Sequence, residues 1–129
     1  MTVKSIKWWK YSGIYLLITG ILHCAVSFVS FGHIYIQFFN DGFINSVQND
    51  TTRGLALWFL ICGIFLLLFG STLHYYIKKE HKPAPSFLGY YMLLFAITGC
   101  LIIPVSGFWL FIPQAIVIIL ANKNKQLKQ

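Results

Sequence analysis

Negative charge is nearly missing from this chain: Asp41, Asp50 and Glu80 are the only acidic residues among 129. None of them falls in the four long apolar stretches, Tyr11–Phe31, Leu55–Ile77, Phe87–Ile103 and Val105–Ala121, which also lack Lys and Arg. A small proton-coupled multidrug exporter needs a membrane-embedded carboxylate to exchange protons for its cation, so that mechanism is excluded. Cysteine is sparse too, and Cys24, Cys62 and Cys100 stand singly in three different stretches. Quinone-linked thiol chemistry and mercury transport need a vicinal pair, so both are excluded. Of the four histidines only His23 lies well inside an apolar stretch, which leaves no pair at one depth to clamp a haem. With the three carboxylates at water interfaces, no nucleophile–base–acid set, phosphate loop or acidic metal site can be assembled, so the sequence gives no positive sign of an enzyme, a cofactor or a bound metal.

What is present is apolar mass. At 57% hydrophobic and 10% charged residues the composition departs from that of soluble globular domains, and the length suits a single domain, residues 1–129. Roughly 17 to 25 apolar residues cross a bilayer as a helix, and each stretch meets that length, the last two narrowly. Sorting every charge out of them is what lipid demands, since a charged side chain at mid-membrane costs about 2.5 to 3.5 kcal/mol even on a lenient scale. The first stretch follows Lys4, Lys7 and Lys10 as a secretion signal would. It is too long for a signal core, lacks a small-x-small cleavage site, and is expected to remain as helix one.

Positive charge then sets orientation. Lys4, Lys7 and Lys10, then Lys78, Lys79 and Lys82, then Lys123, Lys125 and Lys128 place the N-terminal tail, the second loop and the C-terminal tail inside. The loop holding Asp41, Asp50 and Arg53 and the uncharged turn Pro104–Ser106 fall outside. The net charge of +7 is split among these juxtamembrane clusters without a nucleic-acid fold, so the expected partner is the lipid bilayer and not nucleic acid. Trp8, Trp9, Tyr11, Tyr75, Tyr76, Tyr90 and Tyr91 fit an inner aromatic belt, and Trp58 and Trp109 fit an outer one. Within the outer loop 32–53, Phe39, Phe43 and Val47 at i, i+4 and i+8 suit interfacial helical turns.

Small residues recur every seven positions: Gly13, Gly20 and Ser27; Ala56, Gly63 and Gly70; Gly89 and Ala96. Membrane helices associate by close backbone approach, and a period of seven favours left-handed crossings. The expected fold is an all-α membrane protein, a compact left-handed four-transmembrane-helix bundle with both termini inside. Its seam serves packing within one chain or between copies alike, so a homo-oligomer is open.

On helix one, Thr19, His23, Ser27 and Ser30 share a face with that seam. Counting about 1.5 Å per residue from the outer ends puts His23, Cys62 and Gln114 at similar depth, roughly 12 to 14 Å, where they could meet. An intramembrane histidine suggests ligand binding or proton relay. The plainer reading is that His23 and Gln114 each make a hydrogen bond between helices. Above them Arg53, Trp58, Ser106 and Trp109 are expected near the outer mouth, where Arg53 could hold a carboxylate or lipid phosphate or simply pair with Asp50.

Ser12-Gly13 opening helix one, His23 within it, Arg53 with Trp58-Phe59 and Gly63, and Pro104-x-Ser106-Gly107-Phe108-Trp109 together resemble a family of small bacterial membrane proteins of unknown function. The resemblance implies four spans in a bacterial cytoplasmic membrane and supplies no activity. Two functions compete. One is a binding protein whose outer-half cavity around His23, Ser27, Cys62, Gln114, Trp58, Arg53, Ser106 and Trp109 takes a lipid or small apolar ligand. The other is a structural or interaction protein, a partner subunit or immunity-type protein, in which the polar residues only pack the bundle.

Overall fold

The computed structural model describes residues 7–126. Lys4 and Lys128 lie outside the described residues, as does the side chain of Lys125. Among the described residues the structure is all-helical: a 3-10 turn at Lys7–Tyr11, then α1 (Ser12–Asp41), α2 (Thr51–Glu80), α3 (Ser86–Ile102), a second 3-10 turn at Gly107–Leu110, and α4 (Phe111–Gln126). Lys7–Asp41 and Thr51–Glu80 are long and apolar enough to cross a membrane, whereas Ser86–Ile102 and Gly107–Lys123 are shorter apolar helices.

α1 continues ten residues past Phe31, through a segment expected as loop. Nothing between Gly32 and Asn40 breaks a helix, and Ile34 and Phe38, one turn apart, are buried against Ala56 of α2 with Val47 packed alongside. The helix stops at Gly42, whose φ of 69° is the left-handed C-cap for which glycine is suited. The connecting loop is therefore Gly42–Asp50. Asn45 and Gln48 have φ of 57° and 45°, so Phe43 and Val47 do not continue a helix from Phe39. Phe39 stays on α1 and meets Phe43 edge to face at 4.7 Å. α2 opens on an Asp50 cap, whose carboxylate accepts from Thr52 N at 2.8 Å and Arg53 N at 3.1 Å. Lys78 and Lys79 in its last turn complement the helix dipole.

The seven-residue seam is where α1 and α2 meet, antiparallel. Gly13 lies against the backbone of His74, Gly20 against Leu67, Gly70 against Leu17 and Gly63 against Cys24. In each of these pairs the two residue numbers advance and recede together by three, four or seven, so the contact runs straight along the hairpin. α3 and α4 form a second hairpin, with Gly89 against Ala115 and Ile119 and Gly99 beneath the Phe108 ring.

The two hairpins are unequal. α1 and α2 have 30 residues each, α3 has 17 and α4 has 16. They join at the end carrying Lys10 and Lys78, where Leu16, Leu73 and Ile77 pack against Met92, Phe111 and Ala115. The opposite, loop end has its own small core of Ile34, Phe38 and Ala56 from α1 and α2. One core thus draws on all four helices at the shared end, and beyond it α1 and α2 continue as a pair with the smaller core between them.

Candidate functional site

Thr19, His23 and Ser27 of the polar face of α1 find partners within the protein. Thr19 is buried, and its hydroxyl donates back to Tyr15 O at 3.0 Å. His23 Nε2 lies 3.1 Å from Phe59 O, and because a carbonyl only accepts, Nε2 must carry the proton. The imidazole also stacks on the Phe59 ring, with centroids 4.1 Å apart and planes 15° from parallel. Ser27 is fully buried and hydrogen-bonds Tyr35, whose hydroxyl donates on to Ala56 O at 2.9 Å. Ser30 is exposed.

Tyr35 escaped the sequence reading because it fell in the presumed loop. Once α1 is continued through it, the signal is legible: helical side chains lean toward the N-terminus, so a long tyrosine can reach back toward Ser27.

Gln114 does not join this group. It is buried, and its Nε2 donates 2.9 Å to Ser12 O, eleven residues before His23 and so about 16 Å away along α1. Tyr15 makes the companion contact, donating to Leu110 O at 2.9 Å. Counting each stretch from its own end had assumed level helices, but the α3–α4 hairpin sits toward the lysine end. Cys62 is exposed on α2, and the cysteine near His23 is its neighbour Cys24, half-buried with its sulfur against Gly63.

Arg53 is engaged by the loop it follows. Its Nη1 contacts Asp41 at 2.8 Å and donates to Ser46 O at 2.7 Å, and its Nη2 donates to Gln37 at 3.3 Å. Its Nε faces Asp50 at 3.7 Å, and the guanidinium lies over the Phe38 ring. One cation between two carboxylates leaves net negative charge, which repels the carboxylate or phosphate that Arg53 was considered to hold. Its geometry is that of a clasp tying Gly42–Asp50 to both helices. Trp58 is exposed on α2. Ser106 caps the turn before α4, accepting from Phe108 N, and Trp109 donates to Pro104 O at 2.8 Å, so both belong to the α3–α4 turn.

Six of the residues expected to line one outer cavity fall into three sets: His23 and Ser27 along the α1–α2 seam, Arg53 at the loop clasp, and Ser106, Trp109 and Gln114 on the other hairpin; Cys62 and Trp58 are exposed on α2 outside them. Each set is occupied by contacts within the chain.

The model of a family of unknown function, DUF6463, matches residues 7–125. No curated protein and no solved structure matches the chain.

Proposed function

The chain belongs to DUF6463, a family of unknown function, and we propose that it is a multi-pass protein of the bacterial cytoplasmic membrane with a structural or interaction role. It crosses the bilayer four times with both termini inside, and acts through its helical surface and not through a ligand held at His23. The membrane reading is supported by the faces of α1 and α2. Only 22% and 17% of their apolar windows are buried in the protein, whereas the core helix of a soluble protein would be mostly covered. Lipid or a partner's helices are the surroundings that such faces suit.

The observation that carries the interaction reading is the internal satisfaction of the polar seam. His23 meets Phe59 O, and Ser27 and Tyr35 meet each other and Ala56 O; at the separate loop clasp Arg53 likewise meets Asp41, Gln37 and Ser46 O. A ligand entering there would have to displace bonds already made. In lipid the interhelical bonds among them, from His23 and Tyr35 to carbonyls of α2, contribute about 0.6 to 2 kcal/mol each, which suits a packing role.

Alkaline extraction of membranes followed by native mass spectrometry tests both halves. The chain is expected to stay in the pellet, and to show the same mass pattern in wild type and His23→Ala after gentle solubilisation. Release into the supernatant overturns the membrane reading. A small molecule retained by wild type and lost in His23→Ala overturns the interaction reading and restores a His23 ligand site.

A further inference from the structure

At the lysine end of the α1–α2 hairpin, away from the polar seam, a cavity of about 360 Å³ is lined by Trp9, Lys10, His74, Ile77, Lys78 and His81. His74, Ile77 and Lys78 are spaced i, i+3 and i+4, which puts them on one face of α2, and His81 is the left-handed cap that ends the helix. Trp9 and Lys10 reach the cavity from the 3-10 turn before α1, so two elements bring their cations to one place. No acidic side chain lines it, and neither Lys10 nor Lys78 pairs with a carboxylate among the described residues. Lys10 instead lies over the Trp9 ring, 5.9 Å from its centroid. His74 Nδ1 is buried without a hydrogen-bond partner among the described residues. The chemistry collected there is two ammonium groups and two imidazoles beside an apolar wall of Trp9 and Ile77, at the level where the bilayer's polar interface would lie.

We propose that this cavity binds the phosphate of an anionic phospholipid headgroup from the inner leaflet, with Lys10 and Lys78 as the charge partners, an inference that rests on the membrane reading above. Like charges gathered in one cavity repel until an anion joins them, and lysine meets phosphate as a point charge. Basic pockets between helices on the cytoplasmic side are suited to such headgroups. Trp9 and Ile77 would lie along the glycerol and the start of the acyl chains. His74 and His81 add imidazole N–H groups that can donate to the remaining phosphate oxygens.

The test is native mass spectrometry of the full chain from nanodiscs of mixed phosphatidylglycerol and phosphatidylcholine. Wild type is expected to retain phosphatidylglycerol preferentially. Lys10→Ala with Lys78→Ala is expected to lose that preference by on the order of thirtyfold. Lys79→Ala with Lys82→Ala removes equal charge from the same end without touching the lining, and is expected to weaken the preference clearly less. Lys10→Arg with Lys78→Arg is expected to keep the preference, which separates loss of the site from loss of the fold.

Equal losses in the two alanine pairs, or no preference in wild type, overturn the site. Release of the bound lipid by excess inorganic phosphate, with phosphate taking its place, overturns the lipid source in favour of a soluble phosphate ester. A chain that stays in the alkaline pellet yet shows no headgroup preference sinks this proposal alone, whereas release into the supernatant sinks the membrane reading itself.

Discussion

Replacing Gly13 with alanine tests the α1–α2 seam at its tightest point. A Cβ there would lie 2.3 Å from His74 N and 2.4 Å from His74 Cα, against 3.4 Å or more for ordinary contact. Those are backbone atoms of a helix, so no rotamer change relieves the clash and the two helices must separate locally by about 1 Å. Overpacking of this kind costs about 1 to 3 kcal/mol, and rigid backbone on both sides argues for the upper part of that range. Alanine returns up to about 1 kcal/mol through its higher helix propensity, for a net loss near 2 kcal/mol. Gly32→Ala is the internal control, since it sits in the same helix with nothing within 4 Å of the added atom and keeps only the propensity gain. Unfolding in mixed micelles titrated with dodecyl sulfate, followed by far-ultraviolet circular dichroism, reads the difference. The two variants should differ by about 2 to 4 kcal/mol, and a difference below about 0.5 kcal/mol would refute the close approach. Gly63→Ala offers a graded comparison. Its worst contact, at 2.6 Å, is the movable sulfur of Cys24, so it should cost less than Gly13→Ala and be largely rescued by Cys24→Ala.

The remaining predictions address the clasp and the joint between hairpins. Arg53→Ala removes the contacts to Asp41, Ser46 O and Gln37, and should cost about 2 kcal/mol and speed amide hydrogen exchange selectively in Gly42–Asp50. Unchanged exchange in that loop would mean its own turns hold it. Gln114→Ala should leave each hairpin intact while loosening their union, lowering the yield of cysteine cross-links engineered between α1 and α4 and costing about 2 kcal/mol. An undiminished yield would assign the joint to the apolar core around Leu16 and Phe111 alone.

Much of the α1–α2 pairing was legible in the sequence because close helix approach in an apolar setting admits few residue types. Gly13, Gly20, Gly63 and Gly70 advertise their spacing directly, and they are the residues found at the contact. The plainer expectation for His23 and Gln114 also agrees with the geometry, since each donates to a backbone carbonyl of another helix. Their mutual placement was not legible. Hydropathy marks where charge begins, not how one hairpin is seated against another, and the offset of α3–α4 is fixed by contacts such as Tyr15 with Leu110 that no spacing announces. The same limit applies to Gly32–Asp41: polarity rises there, yet the backbone has no reason to leave the helix until Gly42 supplies one. Arg53 was read as an anion holder, a partner of Asp50 or the start of a helix, and the closer ion pair it makes with Asp41, level with it across the hairpin, was not announced by the sequence.

The unequal lengths of the two hairpins bear on the membrane itself. Thirty-residue helices measure about 45 Å, while the 17 residues of α3 measure about 25 Å, less than the ~30 Å hydrocarbon layer. A bilayer meeting this body would have to match a tall flank on one side and a short one on the other, thinning beside α3 and α4 while the aromatic tip around Phe39 and Phe43 rises into the headgroups. Lipids around it would be sorted by chain length, and such a protein would favour the boundary between thick and thin regions of membrane over either one.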